Sequence, residues 1–137
     1  MLGLPAAGQL ATGNYGLTGH CVNLLPLRSQ VKQNPAFIEY LKQRKLAILD
    51  AYDHQQLTFG SLLQKLNTAR DRSRVPLVPV VFNVEMGVDD GVNFEGLKQE
   101  MIFNSREYET FEIYLNIGGS EESPTLEWSY NTKLFKG

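Results

Sequence analysis

His20 and Cys21 stand side by side in the run Gly19-His20-Cys21-Val22-Asn23-Leu24-Leu25-Pro26-Leu27-Arg28, where a thiol and an imidazole could form a nucleophile with its base. The surrounding pattern argues against that chemistry. Cys21 to Val31 reads as a strand, and neighbouring side chains of a strand leave on opposite faces, which separates the imidazole from the thiol. Cys21 is therefore expected to pack as a small apolar residue. Two histidines and one cysteine, with His20 and His54 far apart and no ligand spacing, give no metal site.

Three further clusters could do chemistry. Gly13, Gly16 and Gly19 resemble a phosphate loop, but such a loop must follow a strand and open a helix, and this one opens a strand. Arg70-Asp71-Arg72-Ser73-Arg74 could hold an anion; the plainer expectation is that it caps a helix C-terminus and pairs with its own Asp71. His54, Gln55 and Gln56 fall where a long helix should end, a place for hydrogen-bonded capping side chains. No catalytic set is complete.

The elements that would position these residues are legible in part. A chain of 137 residues is one domain and buries roughly 68% of its unfolded surface. With 42% hydrophobic and 20% charged residues it has a globular composition, and net charge −2 gives no footprint for nucleic acid or an anionic membrane. One cysteine cannot close an internal disulfide, no basic residue precedes Arg28 as a secretory signal requires, and no apolar run is long enough to span a bilayer, so a soluble cytoplasmic protein is expected. Arg28 and Lys32 are the only charged residues among the first 38, an under-charged segment that something should cover.

Residues 3 to 19, rich in Gly, Ala, Thr and Asn, read as a loop, and Pro26 should lie at a sheet edge or bulge. Asn34-Pro35 predicts the start of a helix of about five turns whose buried stripe is Phe37, Ile38, Leu41, Ile48, Leu49 and Tyr52. Arg44 and Lys45 interrupt the stripe and should lay their stems along the edge of the core. A shorter helix from Phe59 to Leu66 should bury Leu62, Leu63 and Leu66. Val78 to Val84 reads as a strand buried on both faces, with Pro79 near its start. Leu97 to Phe103 is a weaker strand candidate. Phe111 to Ile117 and Leu126 to Tyr130 alternate as two strands joined by a hairpin loop at Gly118 to Pro124. The expected architecture is α+β: two layers, a mixed, mostly antiparallel sheet with a long and a short helix on one face.

Taken as a set and in order, three motifs resemble those of nonribosomal peptide synthetase condensation domains. The run from Gly19 to Arg28 is similar to the family's Gly, any residue, Phe, Val, Asn, Thr and an apolar stretch ending in Arg: Gly19, Val22, Asn23 and Arg28 match, while Cys21 and Leu24 depart. His54 to Gly60 resembles His-Gln-Asp-apolar-Pro-Phe-Glu, matching at His54, Gln55, Leu57 and Phe59 and departing at Gln56, Thr58 and Gly60. Arg70 to Leu77 is a complete Arg-Asp-x-Ser-Arg-x-Pro-Leu, with Arg70, Asp71, Ser73, Arg74 and Pro76 in place. Pro5 to Gln9 and Glu127 to Phe135 extend the likeness over almost the whole chain.

The resemblance implies the C-terminal lobe of a chloramphenicol acetyltransferase-like fold, residues 1 to 137 forming a partial condensation domain without the N-terminal lobe and the final helix. Such domains form an amide between a donor acyl group and an acceptor amine, each held as a thioester on the phosphopantetheine of a carrier protein. Their His-His-x-x-x-Asp-Gly signature has no counterpart here, since Asp90-Gly91 follows Val88 and Asp89. No catalytic residue and no directly bound cofactor is expected, and the chain alone should be inactive. The resemblance makes Asn23, Leu24 and Leu25 substrate-tunnel candidates and the other motif positions structural. It places the crossover latch within Met86 to Tyr108. The expected partners are the N-terminal lobe and the donor and acceptor carriers. The competing reading is a non-catalytic interaction module that docks a carrier or a separately encoded first lobe, or self-associates through exposed surfaces.

Overall fold

The computed structural model describes residues 1–9, 13–14, 16–30, 34–68, 71–86, 95–98 and 107–136. Five strands, β1 (Leu2–Ala7), β2 (Val22–Leu27), β3 (Val80–Met86), β4 (Ile113–Gly119) and β5 (Pro124–Tyr130), form one sheet in the order β2-β1-β3-β4-β5. The outer pairs, β1 with β2 and β4 with β5, are antiparallel; β3 runs parallel to both neighbours. Antiparallel ladders run over six and seven residue pairs and parallel ones over two and seven, which makes the sheet mixed and mostly antiparallel. Helix α1 (Phe37–Asp53) and helix α2 (Phe59–Leu66) lie against β2.

The segment expected to be a loop from residue 3 supplies β1, the second strand of the sheet. Its Gly, Pro and Ala residues carry no alternating signal because the space is too tight for large ones. A Cβ on Gly3 would run into Val78 Cγ1 and approach Leu24 Cδ1 at 3.0 Å and Val81 Cγ2 at 3.2 Å. Pairing with β3 stops at Gly3, two residues before Pro5, whose missing N–H therefore breaks no bond to β3. Pro26 lies on β2 at the sheet's end, as its missing donor requires.

Helix α1 corrects the sequence reading twice. It begins at Phe37 after Ala36, two residues beyond the expected Asn34-Pro35 start, with Asn34 at φ 46°. More consequentially, all of the expected buried stripe except Ile48 faces out: Phe37 is 74% exposed, Ile38 58% and Leu49 50%. The face toward β2 carries Tyr40, Arg44, Ala47, Ile48 and Ala51, roughly 90° around the axis at 100° per residue. Small Ala47 and Ala51 allow close approach to the sheet, and the hydroxyl of Tyr40 is 3.1 Å from Ser29 Oγ. Arg44 does more than lay down its stem, since Nη1 donates to Arg28 O at 3.2 Å and to Ser29 Oγ at 2.9 Å while the guanidinium stacks on Tyr40. In α2, Leu62 and Leu63 are half-buried and Leu66 is exposed.

The core straddles the sheet. Register partners share a face, so Ala6 and Leu25 lie beneath the helices, and Val81 packs with Gly3 and Val78 on the other side. Val84, at 49% exposure, departs from the expected burial on both faces. The β4–β5 hairpin turns through 120–123, with Ser123 N–H donating to Ser120 O at 3.2 Å. Of the weaker strand candidate only Leu97 and Lys98 lie among the described residues, and neither is in a strand; Asp90-Gly91 and most of the expected latch lie outside them.

The tight approach at Gly3 yields a stability prediction. Gly3→Ala should lower unfolding stability by about 1–3 kcal/mol through overpacking against Val78, measured by denaturant titration; an unchanged midpoint would refute the close β1–β3 contact.

Candidate functional site

Asn23 joins the first two motifs in space. It sits on β2 two residues before buried Leu25, on the strand face turned to the helices, where the connection from α1 to α2 passes. Its Nδ2 donates to Gln55 O at 2.9 Å and Leu57 O at 3.1 Å, and its Oδ1 accepts from Leu24 N–H at 2.9 Å and Phe59 N–H at 3.1 Å. Two donors and two lone pairs are all used, the full capacity of a carboxamide. Leu, Asp or Gln could not reproduce that set at the same reach.

The second motif is the other half of this contact, offering backbone atoms where the sequence suggested side chains. His54 terminates α1: its N–H donates to Ala51 O at 3.3 Å, and Nδ1 donates to Asp50 O at 2.8 Å. That bond and the Asp50 carboxylate beside it raise the imidazole's pKa above 6.5. Thr58, which stands where the family pattern has Pro, is the N-cap of α2, its Oγ1 accepting from Ser61 N–H at 3.2 Å. A proline at this position would start the helix through its fixed φ; threonine starts it by capping.

Leu24 points away from Asn23, toward the Gly3 side of the sheet, and Leu25 is 4% exposed. The three tunnel candidates therefore do not share one open surface. Val22 is 53% exposed, Gly19 has φ 151°, and Arg28 contributes its carbonyl to Arg44. Cys21 is half-buried, and its carbonyl accepts from Gly8 N–H at 2.6 Å, which ties the end of β1 to the start of β2. Among the described residues no group of three His, Cys, Asp or Glu could hold a metal ion.

The third motif braces the sheet. Arg70 lies outside the described residues. Asp71 Oδ1 accepts from Ser73 N–H at 2.8 Å and Ser73 Oγ at 2.6 Å, an Asx turn that holds the carboxyl below its usual pKa. Among the described residues α2 is closed by left-handed Asn67, whose N–H donates to Gln64 O at 3.2 Å, and not by the expected cap from this motif. Nor does Arg74 pair chiefly with Asp71. It grips Glu112 with Nε to Oε1 at 2.7 Å and Nη2 to Oε2 at 2.6 Å, a two-bond clamp on a residue only 5% exposed. The guanidinium holds Glu112 below the ordinary glutamate pKa, and the carboxylate raises that of Arg74. Glu112 O in turn accepts from Asn131 N–H, and Glu112 N–H donates to Pro79 O, both at 2.9 Å. Pro76 and Leu77 make a tight turn with Leu77 at φ 65° and Val78 N–H donating to Pro76 O at 2.7 Å, which drops Val78 into the core. Sequence reasoning missed Glu112, which sits in an alternating strand like any outward polar residue; nothing local marks a partner 38 positions away.

On the sheet face opposite the helices a polar ladder crosses three strands, Asn83 Nδ2 donating to Asn116 Oδ1 at 3.0 Å and Asn116 Nδ2 to Glu127 Oε2 at 3.3 Å.

The condensation domain family model matches residues 1–137. Among curated relatives, surfactin synthase subunit 1 of Bacillus subtilis (strain 168) is 30% identical over 136 residues, 99% of this chain and 4% of that protein. Tyrocidine synthase 3 of Brevibacillus parabrevis is 31% identical over 136 residues, again 99% of this chain but 2% of its own length. Among solved structures, a complex of the X-domain and OxyB from teicoplanin biosynthesis aligns over 85% of this chain and 25% of that one, with TM-score 0.68 and 16% identity, a likeness of fold. The chain belongs to the condensation domain family of nonribosomal peptide synthetases.

The clamp sets an acid limb. Glu112 and Asp71 have folded pKa values below their unfolded ones, so their stabilisation is complete above the unfolded values and is lost as pH falls through the folded ones. Thermal unfolding followed from about pH 7 to about pH 3 should show the midpoint falling with acid, and Glu112→Gln should be less stable at neutral pH with a shallower fall. An equally steep acid limb in that variant would contradict the clamp.

Proposed function

We propose that this chain is the C-terminal lobe portion of a condensation domain whose whole forms the amide bond between a donor acyl and an acceptor aminoacyl thioester, both presented on phosphopantetheine by carrier proteins. What supports the reading is the spatial union of the first two family motifs through Asn23. The strand carrying Asn23 borders the substrate tunnel, and its carboxamide works by holding the α1–α2 connection in place, leaving substrate contact to neighbouring groups. Of the motif positions, His54, Gln55, Phe59, Asp71, Ser73, Arg74 and Pro76 are framework.

By itself the chain is inactive. A general base must reach the attacking amine within hydrogen-bond distance. His54 is committed to its helix end, and the chain holds no His-His-x-x-x-Asp-Gly segment to supply another. The N-terminal lobe would bring that segment, and the donor and acceptor carriers would bring the substrates. Exposed Phe37, Ile38, Leu41, Leu49 and Tyr52 on α1 favour a lobe that functions against other protein surface over one that works free in solution.

Incubated with a loaded donor carrier and a loaded acceptor carrier, the chain should give no amide product above the uncatalysed level, measured by mass spectrometry of the acceptor phosphopantetheine. Turnover above that control would overturn the assignment of the catalytic base to a segment outside this chain.

A further inference from the structure

The side of α1 turned away from β2 carries an ordered row. Glu39, Lys42, Leu46, Leu49 and Asp53 follow one another at intervals of three, four, three and four residues, the spacing that keeps side chains in one line along a helix. All five are exposed, Leu46 by 67% and Leu49 by 50%, so two neighbouring leucines stand in water between a lysine and an aspartate. Within the chain Lys42 Nζ donates to Glu39 Oε1 at 3.1 Å, an exposed pair that holds either residue weakly. The row has a two-fold pattern. Turned end for end about the midpoint between Ala47 and Ile48, position 46 lands on 49 and position 42 on 53, so leucine falls on leucine and base on acid.

From that match we propose that α1 pairs antiparallel with α1 of a second copy of this chain, Leu46 packing on Leu49 of the second copy and Lys42 meeting its Asp53, each contact made twice. The charges fix the direction. A parallel pair would set Lys42 on Lys42 and Asp53 on Asp53, whereas the antiparallel pair turns both repulsions into attractions. On one flank Lys45 comes beside Tyr52 of the second copy, within reach of a cation–π contact, and on the other Asp50 comes beside its Gln43. A different protein would need the same apolar centre with an acid at one end and a base at the other; a second copy brings that pattern by symmetry. The inference does not depend on the amide-forming reading, since neither Asn23 nor a carrier enters it. Two helices about 26 Å long bury less than the roughly 1,200 Å² of a tight complex, so the pair is a weak, exchanging one.

Sedimentation equilibrium of the full chain, from about 5 to about 500 µM in about 50 mM salt, reads the association directly. The mass should rise from the 15.4 kDa of one chain toward twice that, with half-association at roughly 10–100 µM. Leu46→Glu should weaken association at least about ten-fold by placing a charge against the partner leucine. Lys42→Glu and Asp53→Lys should each weaken it about three- to ten-fold, and the two together, which restore opposite charges across the pair, should return it to within about two-fold of the unmodified chain. The three positions are exposed, and circular dichroism checks each variant for an unchanged fold. The double variant breaks the bond from Lys42 to Glu39 as the single one does, so its recovery reports the contact between copies alone. A mass of one chain at every concentration would assign the row to a different protein and overturn the proposal. Association unchanged by Leu46→Glu, or a double variant as weak as the single ones, would also overturn it.

Discussion

A half-buried carboxamide must have both N–H groups and its oxygen satisfied, and Asn23 meets that demand by reaching across to the backbone between α1 and α2. The consequences spread in both directions. Along β2, the bond to Leu24 N–H fixes the side chain's own rotamer and keeps the following Leu25 pointed into the core. Across the layer, two carbonyls and the first N–H of α2 are held at fixed distances from the sheet, so the entry angle of that helix is set by a strand residue. An unpaired polar group in the same place costs about 1–3 kcal/mol. The polar contact therefore specifies the helix layer more sharply than the apolar packing beneath it, where among the described residues only Ala6 and Leu25 are buried on that face.

The opposite end of the molecule is held by a different kind of bond. Arg74 and Glu112 fasten the segment before β3 to the start of β4, and Glu112's backbone reaches Pro79 and Asn131. One acid thus meets the entry to β3, the entry to β4 and the exit from β5. The turn at Leu77 then delivers Val78 onto the sheet face over Gly3. Between these two fastenings the parallel strands β1, β3 and β4 need no hairpin to bring them together, which is how a sheet with one non-consecutive neighbour pair, β1 and β3, keeps its register.

How much of this was legible in the residues depends on whether the signal was local. The hairpin at residues 118–124 and the edge placement of Pro26 followed from turn and proline chemistry, which act over a few residues. β1 was invisible because its neighbours demand Gly3 and tolerate Pro5, residues that read as loop when the crowding from Val78 is unknown. The apolar stripe of α1 was real, yet amphipathicity reports only that a face seeks cover and is silent on what covers it. Against β2 the helix uses Ala47 and Ala51 instead, leaving Phe37 and Ile38 outside. Arg74 was read against Asp71, three residues away, because its true partner lies 38 positions on, beyond β3. The motif resemblance marked Asn23 as a position of interest; that its partners are backbone atoms of the second motif is a three-dimensional fact with no counterpart in residue types.

The helix layer depends on the carboxamide of Asn23 bridging β2 to the start of α2. Site-resolved hydrogen exchange by NMR tests this at the two amides its Oδ1 accepts from, Leu24 and Phe59. In the unmodified chain both should exchange slowly, and Asn23→Ala should accelerate Phe59, at the first position of α2 where no intrahelical acceptor exists, by at least about ten-fold. Phe59 exchanging at the rate of an unbonded amide in the unmodified chain, or at the same rate in both proteins, would contradict the bridge.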